Sequence, residues 1–283
     1  MSAEFGGSAL ARAKVNLALH VTGRRPDGYH SLSSLVAFAD VGDDIRVSAS
    51  GRDRLTVDGP FAAQVPGLTE NLLGKALALV RRWQRDDIPR GVSIKLTKNL
   101  PISSGIGGGS ADAAALIGLL TGGRELSPLE RADTLSLGAD IPMCLTGGAA
   151  LVSGIGEELD PIEIPALAAI LVNPGEPVST PEVFRALEQQ DNAGLPAVPA
   201  VARVPDFTNW LRGTRNDLET PAISLEPTIG AALDAMGDAR ISRMSGSGAT
   251  CFGIFDSRRQ ANAAAHRVQA SHPHWWVVTT TLS

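Results

Sequence analysis

The segment Pro101, Ile102, Ser103, Ser104, Gly105, Ile106, Gly107, Gly108, Gly109, Ser110, Ala111, Asp112 packs four glycines into five positions. Glycine adopts positive φ and lets main-chain amides come close to a ligand. The segment follows an alternating, strand-like pattern and opens an Ala-rich, helix-like one. Unpaired N–H groups and the positive end of a helix dipole would therefore face whatever the loop holds, which makes a phosphate cradle. A Walker A loop needs Gly-Lys-Ser/Thr, and no lysine follows Gly109. A dinucleotide fingerprint begun at Gly105 and Gly107 needs glycine where Ser110 stands. A second loop, Ser245-Gly246-Ser247-Gly248-Ala249, lies between two strand-like runs and lacks the Gly-x-Ser-x-Gly spacing of a nucleophile elbow. By itself it reads as a hairpin turn; beside the first loop it suggests the same anion chemistry.

Strands and helices must aim those loops. Ala13, Val15, Leu17, Leu19 and Val21 alternate with Lys14, Asn16 and His20, the pattern of a half-buried strand. Alternation returns at 45–49, 55–57 and 92–96. Over 72–83 the spacing turns helical through Leu73, Ala76, Leu77 and Val80, with Thr69 as the expected N-cap. A second helix is expected from Ser110 through 120. A third begins at Ser127-Pro128 with Glu130 completing a capping box, and should stop at Gly138. Further on come a strand at 168–172, a helix opening at Thr180-Pro181, and a loop over 191–206 marked by Pro196, Pro199 and Pro205. Last are a helix from Pro227, strands flanking the second glycine loop, a helix near 260–269 and a strand at 275–281. Strands and helices intermix without regular βα alternation, so the expected class is α+β.

The chain has 283 residues, 43% of them hydrophobic, enough for two buried cores and against a disordered chain. With 25 Lys+Arg against 30 Asp+Glu the net charge is −5, which argues against nucleic acid held by bulk charge. Cys144 and Cys251 are the only cysteines, so neither a disulfide framework nor a cysteine-rich zinc site is expected, and a reducing, cytoplasmic compartment is. Arg12 and Lys14 interrupt the N-terminal apolar stretch, unlike a signal peptide, and no run has the length of a membrane span. His272 and His274 form a His-x-His that a surface tail explains as well as a metal does; no permanent metal site is expected.

Three ordered blocks carry a family resemblance. They are Ala13-Lys14-Val15-Asn16-Leu17 running on to Arg25-Pro26-Asp27-Gly28-Tyr29-His30, then 100–111, then Leu137-Gly138-Ala139-Asp140-Ile141-Pro142; Ser245-Gly246-Ser247-Gly248-Ala249 adds a third glycine motif. Together they resemble the GHMP kinase superfamily, small-molecule kinases named for galactose, homoserine, mevalonate and phosphomevalonate. The Asp-Gly-Tyr-His block points to the branch whose alcohol carries a cytidyl diphosphate, over a homoserine or mevalonate type. The resemblance implies a two-domain fold, 1–165 like the second domain of ribosomal protein S5 and 166–283 ferredoxin-like.

It also implies roles. Taken singly, Lys14 reads as a solvated strand residue and Asp140 as a helix N-cap. The resemblance makes them the catalytic pair of a phosphoryl transfer from ATP, the carboxylate accepting or orienting the hydroxyl proton and the ammonium offsetting charge. Lys98 and residues 101–111 would bind ATP. Tyr29, His30 and Phe184 would enclose the cytosine, with Asn16, Asp140 and Thr180 as further substrate contacts. Many superfamily members have a Ser-Ser pair where this loop has Gly108-Gly109, and the second serine helps hold magnesium. Here Mg²⁺ should be held mainly by ATP phosphates and water, with Ser110 a candidate ligand.

Overall fold

The computed structural model describes residues 5–83, 88–199 and 203–283. They form two compact units that interleave along the chain. The first comprises the N-terminal residues through Ala13, Val41–Ile102 and Gly107–Gly147; the second comprises Lys14–Asp40, Ser103–Ile106 and Gly148–Ser283. No single point along the chain separates these two units. Two long paired strands, β1 (Gly6–Arg24) and β2 (His30–Ser50), contribute to both units.

In the first unit, β3 (Arg54–Asp58) is followed by α1 (Leu72–Arg82) and β4 (Gly91–Thr97). β4 runs antiparallel to the end of β2, with Asp44 opposite Thr97 and Ala49 opposite Val92, and parallel to β3. Then come α2 (Gly108–Leu120), α3 (Pro128–Thr134) and α4 (Ile141–Thr146). Leu73, Ala76, Leu77 and Val80 of α1 pack with Leu116, Ile117 and Leu120 of α2 and with Ile45, Ile94 and Leu96 of the strands. The N-cap of α1 is Asn71, whose side chain accepts from the Leu73 N–H at 3.0 Å, not Thr69. Asn71 directly precedes the first helical residue, so its side-chain oxygen reaches a first-turn amide that Thr69, two residues earlier, does not cap. The capping box at Ser127 and Glu130 forms as expected, and the helix tightens to a 3-10 turn before Gly138 at φ 154.

In the second unit, β5 (Ala150–Ser153) pairs with β2 and with β6 (Glu158–Pro161). β7 (Leu167–Asn173) leads to α5 (Thr180–Arg185), α6 (Val204–Arg212), α7 (Glu219–Leu225) and α8 (Thr228–Asp234). β8 (Ile241–Met244), β9 (Cys251–Phe255), α9 (Arg258–Ser271) and β10 (Trp276–Leu282) complete the chain. The antiparallel strand order is β2-β10-β7-β9-β8. Ile170, Val172, Cys251 and Phe255 of the sheet meet Ile229, Ala232, Ala261, Ala264 and Val268 of the helices.

Two expectations change. β1 is buried on both faces rather than one: Lys14, Asn16 and His20 are 7%, 5% and 1% exposed. Alternation reports which residues share a face, not whether a second layer covers the polar one. Pro205 starts α6 instead of prolonging a loop, because proline in the first helical turn lacks only an N–H that would have no partner there. Among the described residues no helix is long and apolar enough to cross a membrane.

Candidate active site

The first glycine loop is divided between the units, residues 103–106 in the second and 107 onward in the first. In the second unit its tip is locked against the other glycine loop. Gly105 has φ 74, and a Cβ there would lie 2.4 Å from the Ser245 carbonyl oxygen and 2.8 Å from that of Gly248. Gly246 has φ 57 and would bring a Cβ within 2.9 Å of the Gly105 oxygen. Two main chains can approach this closely only without side chains. The Ser245 hydroxyl donates to Gly105 O at 3.0 Å, and the Thr250 N–H donates to Ser104 O at 3.1 Å. The second loop is thus no isolated hairpin turn. Ser103, at φ 52, holds the left-handed region without being glycine, a strain that tends to mark functional loops.

β1 runs beside this pair of turns. The Lys14 N–H donates to Ile106 O at 2.9 Å, and the Asn16 N–H donates to Ser245 Oγ at 3.0 Å. Lys14 Nζ donates to Asn16 Oδ1 at 3.1 Å, and Asn16 Nδ2 donates to Ser34 Oγ at 2.8 Å. A buried amine needs such hydrogen-bond acceptors. Lys14 and Asn16 are therefore oriented by the same turns that form the loop.

Two asparagines that sequence reasoning missed brace the turns. Asn216 Nδ2 donates to both Met244 O and Gly246 O at 2.8 Å, and Asn173 Nδ2 donates to Thr250 Oγ1 at 2.9 Å. Nothing in their local sequence marks them, since each acts on a segment more than 25 residues away.

In the first unit, α2 starts with Gly107 at its N-cap position, φ 65, and no side chain caps it. No residue of the helix thus competes for its first amides. Around Gly109 an added Cβ would meet nothing within 4 Å. Lys98 lies against this turn, its Nζ 3.2 Å from where a Cβ on Gly108 would stand. Its Nζ donates to Asp43 Oδ2 at 2.5 Å and to Asp112 Oδ2 at 2.8 Å, and all three residues are buried. Asp43 Oδ1 also accepts the N–H groups of Asn99 and Leu100, at 2.6 and 2.8 Å. Burial works against the Lys98 charge, but the two carboxylates outweigh it and hold the ammonium above the usual lysine range. Burial pushes Asp112 up to about 7, with Asp43 adding and Lys98 opposing, and Asp112 Oδ1 is buried without a hydrogen-bond partner. The ammonium of Lys98 is thus a counter-charge joining β2, the exit of β4 and the first turn of α2.

Asp140 occupies the N-cap position of α4, half-buried, yet its side chain makes no capping hydrogen bond.

The residues expected to recognise the base fall in the second unit. Arg25, Asp27 and Gly28 form a tight turn: the Arg25 N–H donates to Tyr29 O at 2.8 Å, the Tyr29 N–H to Asp27 Oδ1 at 3.1 Å, and Gly28 has φ 89. Tyr29 projects from it, 61% exposed. His30 and Phe184 stack on each other, centroids 4.8 Å apart at 21°. Phe184 therefore faces the imidazole rather than pairing with Tyr29. His30 Nε2 is buried with no hydrogen-bond partner. Thr180 Oγ1 and Ser247 Oγ share a 2.6 Å hydrogen bond, which ties the start of α5 to the second glycine turn.

The chain is similar to known proteins over most of its length. Residues 71–148 match the model of the GHMP kinases N terminal domain, and residues 197–274 match that of the GHMP kinases C terminal domain. A Roseobacter denitrificans protein named 4-diphosphocytidyl-2-C-methyl-D-erythritol kinase is 48% identical over 281 residues, 96% of this chain and 92% of its own. A Chelativorans protein of the same name is 48% identical over 277 residues, 96% of this chain and 94% of its own. A crystal structure of 4-(cytidine 5'-diphospho)-2C-methyl-D-erythritol kinase is similar at TM-score 0.79 and 33% identity, covering 98% of this chain and 99% of that one. A homoserine kinase from Cytophaga hutchinsonii shares the fold at TM-score 0.69 and 19% identity, over 100% of this chain and 96% of its own.

Proposed function

The chain belongs to the GHMP kinase family, and on that premise we propose that it phosphorylates the 2-hydroxyl of 4-diphosphocytidyl-2-C-methyl-D-erythritol. ATP is the phosphoryl donor; the products are the 2-phosphate and ADP, in the non-mevalonate route to isoprenoid precursors. The observation that carries the reading is the 48% identity, across 96% of the chain, with a kinase whose name states this substrate.

Phosphoryl transfer asks a protein mainly to position groups and to stabilise charge. The main-chain amides of residues 103–111 hold the phosphates of ATP, and the second glycine turn fixes the tip of that loop. Ser110, in the first turn of α2, would be the side-chain hydroxyl available to Mg²⁺ arriving with ATP, and the ion would offset the phosphate charge. Asp140 orients the attacking hydroxyl and takes its proton. Lys14, aligned by Asn16, offsets charge on the group in transfer. Tyr29 stacks on the pyrimidine and His30 offers Nε2 to its edge, with Phe184 backing the imidazole. Asn16 and Thr180 contact the rest of the alcohol.

A coupled ADP-release assay over a panel of alcohols with Mg-ATP tests the reading. Turnover with the cytidyl-diphosphate alcohol and little with homoserine or mevalonate is expected. Faster turnover of either of those two would replace it with that kinase class.

A further inference from the structure

β1 carries a third buried polar side chain, His20, for which phosphoryl transfer has no task. Both ring nitrogens are engaged by main chain. Nε2 accepts the Arg215 N–H at 3.2 Å, so that nitrogen carries no proton, and Nδ1 is the one that donates, to Ala193 O at 3.0 Å. The imidazole is therefore neutral, with its proton on Nδ1. Burial is the main influence and lowers its pKa; the Arg215 charge adds to this, while the Ala193 bond and the Asp217 charge oppose it.

Ala193 belongs to residues 187–199, which contain neither helix nor strand and directly follow α5. Such a segment keeps its place only through specific bonds. Asn192 donates to Val21 O from its N–H at 3.2 Å and from Nδ2 at 3.1 Å. Arg215 Nη2 also donates to Ala193 O, at 3.1 Å, and the Leu195 N–H donates to Ser33 Oγ at 3.0 Å. Asp217 accepts the Val21 N–H at 2.7 Å and Asn192 Nδ2 at 3.2 Å. Among the described residues, His20 is the side chain that bonds the main chain of both Ala193 and Arg215. At its other end α5 is tied to the second glycine turn through Thr180 and Ser247. Phe184, near the C-terminal end of α5, packs with Val183 and Leu187 against the core of the second unit, and the 192–195 anchor is the next point at which the chain after α5 is held.

We propose that His20 is a positioning residue for the cytidyl substrate: it latches residues 192–195 onto β1 and so holds Phe184 against His30. The proposal rests on the reading that His30 and Phe184 border the base. Losing the latch loosens the base end of the site and leaves the phosphate-binding turns, braced by Asn216 and Ser245, as they are.

The test is steady-state kinetics of the full chain with Mg-ATP and the cytidyl-diphosphate alcohol. Wild-type turnover of that alcohol is the control: without it the functional reading fails before any variant is compared. With it, His20→Leu should raise KM for the alcohol about five- to tenfold, the loss of one or two hydrogen bonds. KM for ATP and kcat should stay within about twofold, changes too small to matter on the same scale. His20→Asn, whose amide can still donate to Ala193 O, should restore most of the alcohol KM. Asn192→Ala, a change on the loop itself, should reproduce the His20→Leu signature and serves if His20→Leu does not fold. An unchanged alcohol KM in Asn192→Ala and His20→Asn with an unchanged or unfolded His20→Leu overturns the proposal. So does a rise in both KM values together.

Discussion

Tyr29 offers a ring that the fold does not use: it is 61% exposed and touches no other ring among the described residues. Removing it should therefore cost binding and not stability. Tyr29→Ala is expected to raise KM for the cytidyl alcohol by about tenfold or more, since a base-aromatic stack contributes roughly 1–3 kcal/mol. Melting temperature and KM for ATP should hold steady. A melting temperature that falls with the KM would mean the ring supports the turn instead. His30 differs, because its ring is already stacked on Phe184 and its Nε2 is buried without a hydrogen-bond partner. The sequence made these three residues legible as a group, but not their arrangement, because Phe184 reaches His30 across more than 150 positions of chain.

Among the elements, the glycine loop shows which glycines are conformational and which are not. Gly105→Ala must place a methyl group against two carbonyl oxygens at positive φ. It should lose at least about 1–2 kcal/mol in urea unfolding, with a rise in KM for ATP as the 245–248 turn is displaced. Gly109→Ala meets open space inside α2 and should gain about 0.5–1 kcal/mol. Equal stability changes in the two variants would contradict the packing of one turn on the other. The triad beside the loop has a pH signature. Asp112 is raised to about 7 in the fold, so between about pH 4 and pH 7 the folded chain binds more protons here than the unfolded one. Its contribution to stability is therefore present at low pH and lost as pH rises through that window. Asp112→Asn abolishes that loss, and its stability relative to wild type should climb from pH 4 to 7; a flat difference would mean that Asp112 ionises normally. Local pattern revealed α1, α2, α3 and the capping box because propensity and caps act over one turn. It did not reveal the burial of the polar face of β1 or the ion pairs of Lys98, which depend on segments brought together only by folding. Hence the ion pairs that make Lys98 a brace between β2, β4 and α2 had no signal in the sequence.

On the scale of the whole molecule, the two units exchange segments, and a linear reading of the chain divides it differently. Pattern along a sequence marks elements; which strands continue from one unit into another is set by pairing partners far away. The second unit depends on Arg243, 8% exposed, whose guanidinium donates to Leu17 O at 2.6 Å, Leu211 O at 3.2 Å, and Thr214 O and Oγ1 at 2.8 and 3.0 Å. Burial lowers its pKa to about 10, with the Glu219 charge opposing, so it stays charged at neutral pH. Arg243→Met should cost about 3 kcal/mol in chemical denaturation, because it leaves several buried carbonyls without donors. A loss below about 1 kcal/mol would mean that water takes over those bonds.

The central claim is that phosphoryl transfer runs through the Asp140 carboxylate while ATP is held elsewhere, by main-chain amides. Asp140→Ala measured for ATP affinity by calorimetry and for turnover by ADP release separates the two most directly. The account predicts a fall in kcat of about a hundredfold or more, the scale of a lost general base, with ATP affinity unchanged. Turnover near wild type, or a loss explained entirely by weaker ATP binding, would contradict it.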